Sequence, residues 1–154
     1  MMKQNQFEAL FSGSFDTFKV FYNLTPQETG CNVPTSPKKI WQILHHLIVW
    51  QDYQLIQLQG TGGEVEINEQ LSWSEEEQCD SQEKLDKTVS KFYNQLECIR
   101  EEISLFNLQD PDLQKKLKIA QNLSVHLSFH IGEIILMRRM TGSYPLHQMQ
   151  EFLN

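Results

Sequence analysis

Apolar residues recur along the chain with the three- and four-residue spacing of helical faces. In the first such segment they are Phe7, Phe11, Phe15, Phe18 and Tyr22. This spacing predicts a first helix, which Gly13 interrupts because glycine inside a helix costs about 1 kcal/mol relative to alanine. A linker rich in proline follows over residues 25–38, and it separates this helix from the next one.

Three further helices are predicted over residues 37–59, 81–107 and 110–141. Ser36 is placed to cap the first of these at its N-terminus, Pro37 suits its first turn, and Gly60 ends it. The next helix begins at Asp80 or Ser81 and has one long apolar face. Because strand-like alternation of comparable length is absent from the sequence, we predict an all-α protein. It forms a four-helix bundle, a single domain over residues 1–154.

The connection between the second and third helices, residues 60–79, is unusually long. It is rich in glycine at first and then acidic, and we expect a single turn of helix near Trp73. Connections of this length are often lids or binding loops. The alternative, which we favour, is a solvated connector.

Composition limits the partners of the chain. Its 154 residues include 20 Asp and Glu against 13 Lys and Arg, a net charge of −7. Nucleic-acid binding depends on clustered Lys and Arg, so we expect no nucleic-acid partner. Apolar runs of the length found in signal peptides or membrane spans are lacking, which favours a cytoplasmic protein without a membrane partner. The cysteines are far apart and form no CxxC pair, as is typical of free thiols.

Two histidines lie inside the apolar run of the last helix, VHLSFHIGEIILMRR. His126 and His130 are four residues apart, so they project from one helical face about 6 Å apart along the axis. The flanking apolar residues place both rings toward the core, where an imidazole without a partner is costly. Both rings can reach one metal ion at about 2.0 to 2.1 Å. The spacing therefore makes them candidate metal ligands.

A third candidate ligand comes from the second helix, IWQILHHLIVWQDYQ. His46 lies beside Ile43 and Trp50 on the side that faces inward, whereas His45 projects about 100° away from it. We choose His46 as the inward residue and place His45 at the surface or rim. A modest rotation of the helix would exchange the two.

Three imidazoles from two helices would bind one side of a metal ion and leave positions open for water or substrate, which is typical of a catalytic site. The ion would favour a deprotonated water or a thiolate. We expect Zn or Ni, with Fe, Co or Mn as alternatives, because imidazole suits several of these metals. The HExxH motif of zincins and the Glu-x-x-His sets of ferritin-like di-iron proteins are both absent from the sequence.

Two segments also carry family patterns. The run HLSFHIGEIILMRRMTGSYP follows H-x-x-x-H-x-G-Q/E-I, then Arg, Gly and Pro, and SPKKIWQILHHLIVWQDY follows S-I-W-x-I-L-x-H-L-I-x-W. Together they resemble the DinB superfamily, the DinB/YfiT-like metalloenzymes, over almost the whole chain. The last-helix positions are filled by His126, His130, Gly132, Glu133, Ile134, Arg138, Gly142 and Pro145. The second-helix match places the family's first metal ligand on His46.

This resemblance implies an up-down-down-up bundle, a metal site formed by His46, His126 and His130, and frequent homodimers. Characterised members of that family include thiol-dependent transferases and isomerases that use bacillithiol, mycothiol or glutathione. Our main hypothesis is therefore a metal-dependent thiol S-transferase that joins a low-molecular-weight thiol to a small electrophilic substrate. The alternative is a non-catalytic helical module for ligand binding or dimerisation, with the histidines as core residues.

Five further side chains have two interpretations each. Glu133 hydrogen-bonds a ligand imidazole or pairs with an arginine. Arg138 and its neighbour Arg139 hold a substrate carboxylate or, as we favour, complement the helix dipole. Trp50 lines a pocket or, as we favour, belongs to the core. Asp52 orients a ligand or, as we favour, is a solvated helix charge.

Overall fold

The computed structural model describes residues 7–11, 19–63 and 66–144. Its elements are two 3₁₀ turns, Glu8–Leu10 and Glu69–Ser72, and four α-helices, α1 (Pro26–Thr29), α2 (Ile40–Gln59), α3 (Gln82–Ser104) and α4 (Leu113–Met140). These described ranges contain no β-strand, so the predicted all-α class is confirmed. None of their helices combines the length and the apolar composition that crossing a membrane requires.

The predicted first helix is not formed by those of its residues that the structure describes. Residues 12–18, with Gly13, lie outside the described part. Before them the chain forms only a 3₁₀ turn, and after them Lys19 and Asn23 have φ angles of +42° and +53°. A left-handed residue ends α-helical geometry. On the predicted apolar face, Phe11 is buried but Tyr22 is 49 % exposed, and Phe21, which that face did not include, is buried instead.

The start of α2 differs from the prediction, whereas its end agrees. Ser36 does not cap the helix, because its hydroxyl donates to the carbonyl of Lys38. The N-cap residue is Lys39, whose N–H donates to the side chain of Gln42 at 3.1 Å. Gly60 follows the last turn with a φ of +72°, a conformation that glycine adopts without strain. The helix is therefore shorter than predicted only at its N-terminus.

The other two long helices lie close to their predicted positions. Ser81 caps α3 by accepting a hydrogen bond from the N–H of Lys84, one of the two starts that the sequence allowed. The short helix α1 lies inside the predicted linker and was missed, although Thr25 and Glu28 form a capping box there.

The core lies where α2 packs against both α3 and α4. Buried apolar side chains from the three helices meet there, among them Ile43, Leu47, Phe92, Leu96, Leu123 and Leu127. Burial of such side chains contributes about 1.5 to 3 kcal/mol each. Since the inward faces of α2 and α4 also carry the candidate histidines, the packing that forms the core sets their positions.

Candidate metal centre

His46 on α2 and His126 and His130 on α4 form one cluster. One ring nitrogen of each lies within 4.8 Å of the corresponding atoms of the other two. The Nε2 atoms of His46 and His126 are 3.0 Å apart. His46 and His130 are buried, and His126 is half-buried. The structure thus brings together all three residues that the sequence singled out.

His45 lies outside this cluster, on the predicted side of α2. Its ring packs against Trp41 with 4.5 Å between the ring centroids. Its Nε2 atom is buried and has no hydrogen-bond partner in the described part of the chain. Burial is the largest influence on this ring and lowers its pKa, against the opposing charge of Glu76. Consecutive helical residues project about 100° apart, so only one of the two histidines can face α4.

The ring of His46 is held by the connection between α2 and α3. The hydroxyl of Ser72 donates to the carbonyl of Glu69 at 2.5 Å, which leaves its oxygen as an acceptor for Nδ1 of His46, 2.7 Å away. Trp73 stacks on the same imidazole with 3.8 Å between the centroids. We therefore assign the proton of the neutral ring to Nδ1, and its Nε2 lone pair faces His126.

The ring of His130 is oriented in a similar way by its own helix. The Oε2 atom of Glu133 lies 3.0 Å from Nδ1 of His130. A carboxylate only accepts hydrogen bonds, so Nδ1 carries the proton and Nε2 keeps its lone pair. Of the two roles considered for Glu133, the structure shows the hydrogen bond to the imidazole.

The cluster favours neutral imidazoles. Burial, followed by the nearby rings of His126 and His130, lowers the pKa of His46 to about 3. Burial, followed by His130, lowers the pKa of His126 to about 4. Near neutral pH both rings are therefore uncharged, which is the form that binds a metal ion.

This donor set fits a divalent transition-metal ion. Ligand histidines in metalloproteins usually donate their second ring N–H to a carboxylate or another acceptor, as Glu133 and Ser72 allow here. Three nitrogens bound tetrahedrally at 2.0 to 2.1 Å lie about 3.3 Å apart. Here the Nε2 atoms of His46 and His126 are 3.0 Å apart, and one nitrogen of each ring lies within 4.8 Å of the other two. Within the described residues no carboxylate or thiol joins the three rings. The remaining positions around such an ion would thus be open.

Ser72 was missed by the sequence analysis. A single serine in a long connection carries no spacing signal, and its role follows only from where the 3₁₀ turn Glu69–Ser72 packs. The second half of this connection is also anchored, since the indole of Trp41 donates to Glu76 at 3.0 Å and the amide of Gln42 donates to the carbonyl of Ser74 at 2.9 Å. Residues 75–78 are nevertheless exposed, so this part of the connection is solvated, as we favoured, and also anchored to α2.

Arg138 does not take part in the cluster. Its guanidinium is fully buried and donates to the backbone carbonyls of Val20, Tyr22 and Ser143, at 2.6, 2.8 and 2.8 Å. It therefore ties the segment after residue 19 to the end of α4. The interpretation of Arg138 as a binder of a substrate carboxylate is wrong, because its donors are occupied by backbone.

The structure also distinguishes between the two interpretations given for Asp52 and for Trp50. Asp52 accepts a hydrogen bond from Gln95 and lies 3.4 Å from the ammonium of Lys91, both on α3. It thus lies on the side of α2 away from the cluster. Trp50, which we expected in the core, is half-buried and lines a cavity beside His126.

Comparison with protein-family models, with curated proteins and with solved structures finds no match for this chain. The resemblance to the DinB superfamily therefore stays a prediction from the sequence motifs.

Proposed function

We propose that His46, His126 and His130 bind a divalent metal ion, Zn or Ni ahead of Fe, Co or Mn, and that the protein is a thiol S-transferase with a DinB-like up-down-down-up bundle. One observation carries the proposal. Three imidazoles from two helices converge, and the Nδ1 atoms of two of them are occupied by Ser72 and Glu133. Their Nε2 lone pairs are left for a shared cation.

The ion would supply Lewis acidity, which favours the thiolate form of a bound thiol. The chain's own contribution is to hold the three rings neutral and in position, and to cover one side of the cluster with Trp73. In the transfer, the sulfur forms a bond to an electrophilic carbon of the substrate. The leaving group departs with its electron pair, and the thiol proton goes to solvent. Among the described side chains, no general base is placed to accept it.

A second candidate is the non-catalytic helical module. The Nε2 atoms of His46 and His126, 3.0 Å apart, can share a proton in a direct hydrogen bond, which would satisfy both buried rings without metal. Under this alternative the histidines are core residues, and replacing one of them affects stability but no metal-dependent property.

Metal content separates the two candidates. We expect about one equivalent of divalent metal in protein purified without a histidine tag, measured by elemental analysis, and loss of that metal in His46→Ala and His126→Ala. His45→Ala is the matched control, because it removes a neighbouring, half-buried histidine outside the cluster. Absence of stoichiometric metal after reconstitution with Zn, Ni and Co would reject the metal site.

The thiol-transfer part needs its own test. In cobalt-substituted protein, glutathione or bacillithiol should change the visible spectrum of the ion, and transfer to 1-chloro-2,4-dinitrobenzene should require the metal. An unchanged spectrum with every low-molecular-weight thiol tried would refute the transferase and leave the metal site in place.

We also propose that the protein is a homodimer. Val125, Phe129, Leu136 and Met140 form a stripe on α4, and each is more than half exposed. Their spacing is symmetric about Gly132 and Glu133, so two antiparallel copies would pair each stripe residue with one from the other stripe. A Cβ at Gly132 would meet nothing within 4 Å in this chain. A glycine at this position costs helix stability but lets a second backbone approach closely.

The oligomeric state tests this pairing. Light scattering coupled to size exclusion should report a dimer for the wild type and a monomer for Phe129→Glu. Leu71→Glu changes an equally exposed leucine outside the stripe and should remain dimeric. A monomeric wild type at high micromolar concentration would contradict the proposal.

A further inference from the structure

A cavity of about 370 Å³ lies between α2 and α4, directly beside His126. From the cluster outward, α2 lines it with Trp50 and Gln54, and α4 lines it with Asn122 and Lys115. The rings of Trp50 and His126 are 5.1 Å apart, so the cavity begins at the cluster. Among the described residues that line it, Lys115 is the only Lys, Arg, Asp or Glu, although the chain as a whole is acidic.

Gln54 is unusual among the buried polar side chains of the described residues. Nine polar or charged side chains are buried there, and eight of them make a hydrogen bond. The side chain of Gln54 is only 6 % exposed, lines the cavity, and makes no hydrogen bond with any residue that the structure describes. Its amide atoms are not among the fully buried, unpaired polar atoms of the described residues, so they reach into the cavity, where a bound molecule can hydrogen-bond to them.

Other buried glutamines of α2 show what a purely structural role looks like. Gln42 donates to the carbonyl of Ser74 at 2.9 Å, and Gln51 donates to the side chain of Gln95 at 3.0 Å. A larger groove, about 630 Å³, lies on the α3 side of α2. Its charged side chains are largely paired with one another, as Lys91 is with Asp52. The cavity beside His126 differs from this groove in presenting a largely buried amide, that of Gln54, without a hydrogen-bond partner among the described residues.

The distance from the cluster to Gln54 sets the length of the ligand. Gln54 follows His46 by eight residues, which is about 12 Å along the helix axis. Side chains tilt toward the helix N-terminus, so the carboxamide lies closer to the cluster than its Cα. A ligand that reaches both must be elongated, with a hydrogen-bonding group about 8 to 10 Å from its sulfur.

We propose that the cavity binds the chain of an elongated, amide-bearing thiol, uncharged or anionic, whose amide hydrogen-bonds to Gln54. Gln54 is then a specificity-determining residue, because its carboxamide both donates and accepts, as an amide partner requires. The sulfur end lies at the histidine cluster, and an anionic far end would meet Lys115. This inference rests on the proposed thiol-dependent function for the identity of the sulfur end, but the Gln54 contact can be measured without metal.

The test uses S-methylpantetheine, a linear thioether whose second amide begins about 8 Å from the sulfur in an extended chain. It is titrated into metal-free protein, and binding is followed by NMR shifts of side-chain amides and indole N–H groups. We expect the Gln54 amide and the Trp50 indole to shift. 2-(Methylthio)ethanol, which has no amide, should not shift the Gln54 amide.

Gln54→Leu should weaken S-methylpantetheine binding at least about tenfold, or 1.4 kcal/mol. Gln114→Leu, at an exposed position on α4, should bind it as the wild type does. The proposal is overturned if S-methylpantetheine does not bind, or if it binds Gln54→Leu as tightly as wild type. If S-methylpantetheine binds through its amide but the protein takes up no metal, the proposed function is refuted, and the cavity beside His126 remains a ligand-binding site.

Discussion

The hydrogen bond from His130 to Glu133 gives the sharpest test of how the cluster is tuned. In Glu133→Gln the side chain keeps its shape and an acceptor oxygen but loses its charge. The bond joins Nδ1 of His130 and Oε2 of Glu133 at 3.0 Å. A charge-assisted hydrogen bond contributes about 1.5 to 3 kcal/mol and a neutral one about 0.5 to 1.5 kcal/mol. The exchange therefore removes about 1 to 1.5 kcal/mol from this contact.

The carboxylate also attracts a bound cation through the ring. Unit charges about 6 Å apart interact by about 3 kcal/mol at an effective dielectric constant of 20. The side chain of Glu133 is 26 % exposed, so water reduces this contribution. Together the two effects predict metal binding about 10- to 100-fold weaker in Glu133→Gln, the range that such changes around metal ligands usually give.

Competition with a zinc-binding indicator measures this change directly. Glu101→Gln is the control, since Glu101 is an exposed residue of α3 and should bind metal as the wild type does. Circular dichroism should show unchanged helix content in both variants. If Glu133→Gln binds zinc within twofold of wild type, the carboxylate does not tune the His130 ligand and the reasoning from this hydrogen bond is wrong.

Three further predictions concern the same architecture. Ser72→Ala removes the acceptor for Nδ1 of His46 and should weaken zinc binding about tenfold in the same competition assay, whereas Ser128→Ala should not. Arg138→Met leaves three backbone carbonyls without their donor. It should lower the free energy of unfolding, measured by urea denaturation, by about 3 kcal/mol or more. The control Arg139→Met, at an exposed position, should change that free energy by no more than about 0.5 kcal/mol. Metal-free protein should lose stability as the pH falls below 6.5. In the native state His46 and His126, with pKa values of about 3 and about 4, bind fewer protons than in the unfolded chain, where histidines titrate near 6.5. A denaturation midpoint that stays constant between pH 7 and 5 would contradict this prediction.

The sequence predicted the parts of the structure that depend on local spacing. Gly60 and Ser81 mark helix ends through backbone and capping chemistry that involves only their neighbours. The pairing of His126 with His130 follows from the helical repeat alone. The choice of His46 over His45 used the apolar face of one helix, which a modest rotation would have reversed, together with the second-helix motif. The structure places His46 in the cluster.

The first segment shows where such reasoning fails. Five of its aromatic residues have helical spacing, yet Phe11 reaches the core from the end of a 3₁₀ turn, whereas Tyr22 is exposed and its neighbour Phe21 is buried. The spacing identified Phe11 as buried but not Phe21, because the backbone with left-handed residues at Lys19 and Asn23 turns Phe21 rather than Tyr22 toward the core. Arg138 explains part of the outcome, because its guanidinium binds the carbonyls of Val20 and Tyr22 and fixes that backbone from the far end of the chain.

The surroundings of the histidines were out of reach for the same reason. Ser72 and Trp73 contact His46 from a connection whose path depends on its anchoring to α2, and no short window of sequence records that path. Gln54 is also invisible to the sequence, since its position on α2 gives no sign that it differs from the other buried glutamines of that helix. Only the absence of a hydrogen-bond partner, together with a cavity that begins at His126, distinguishes it from Gln51. The candidate ligands were thus readable from periodicity, whereas the residues that would orient them and select a substrate follow from contacts between distant segments.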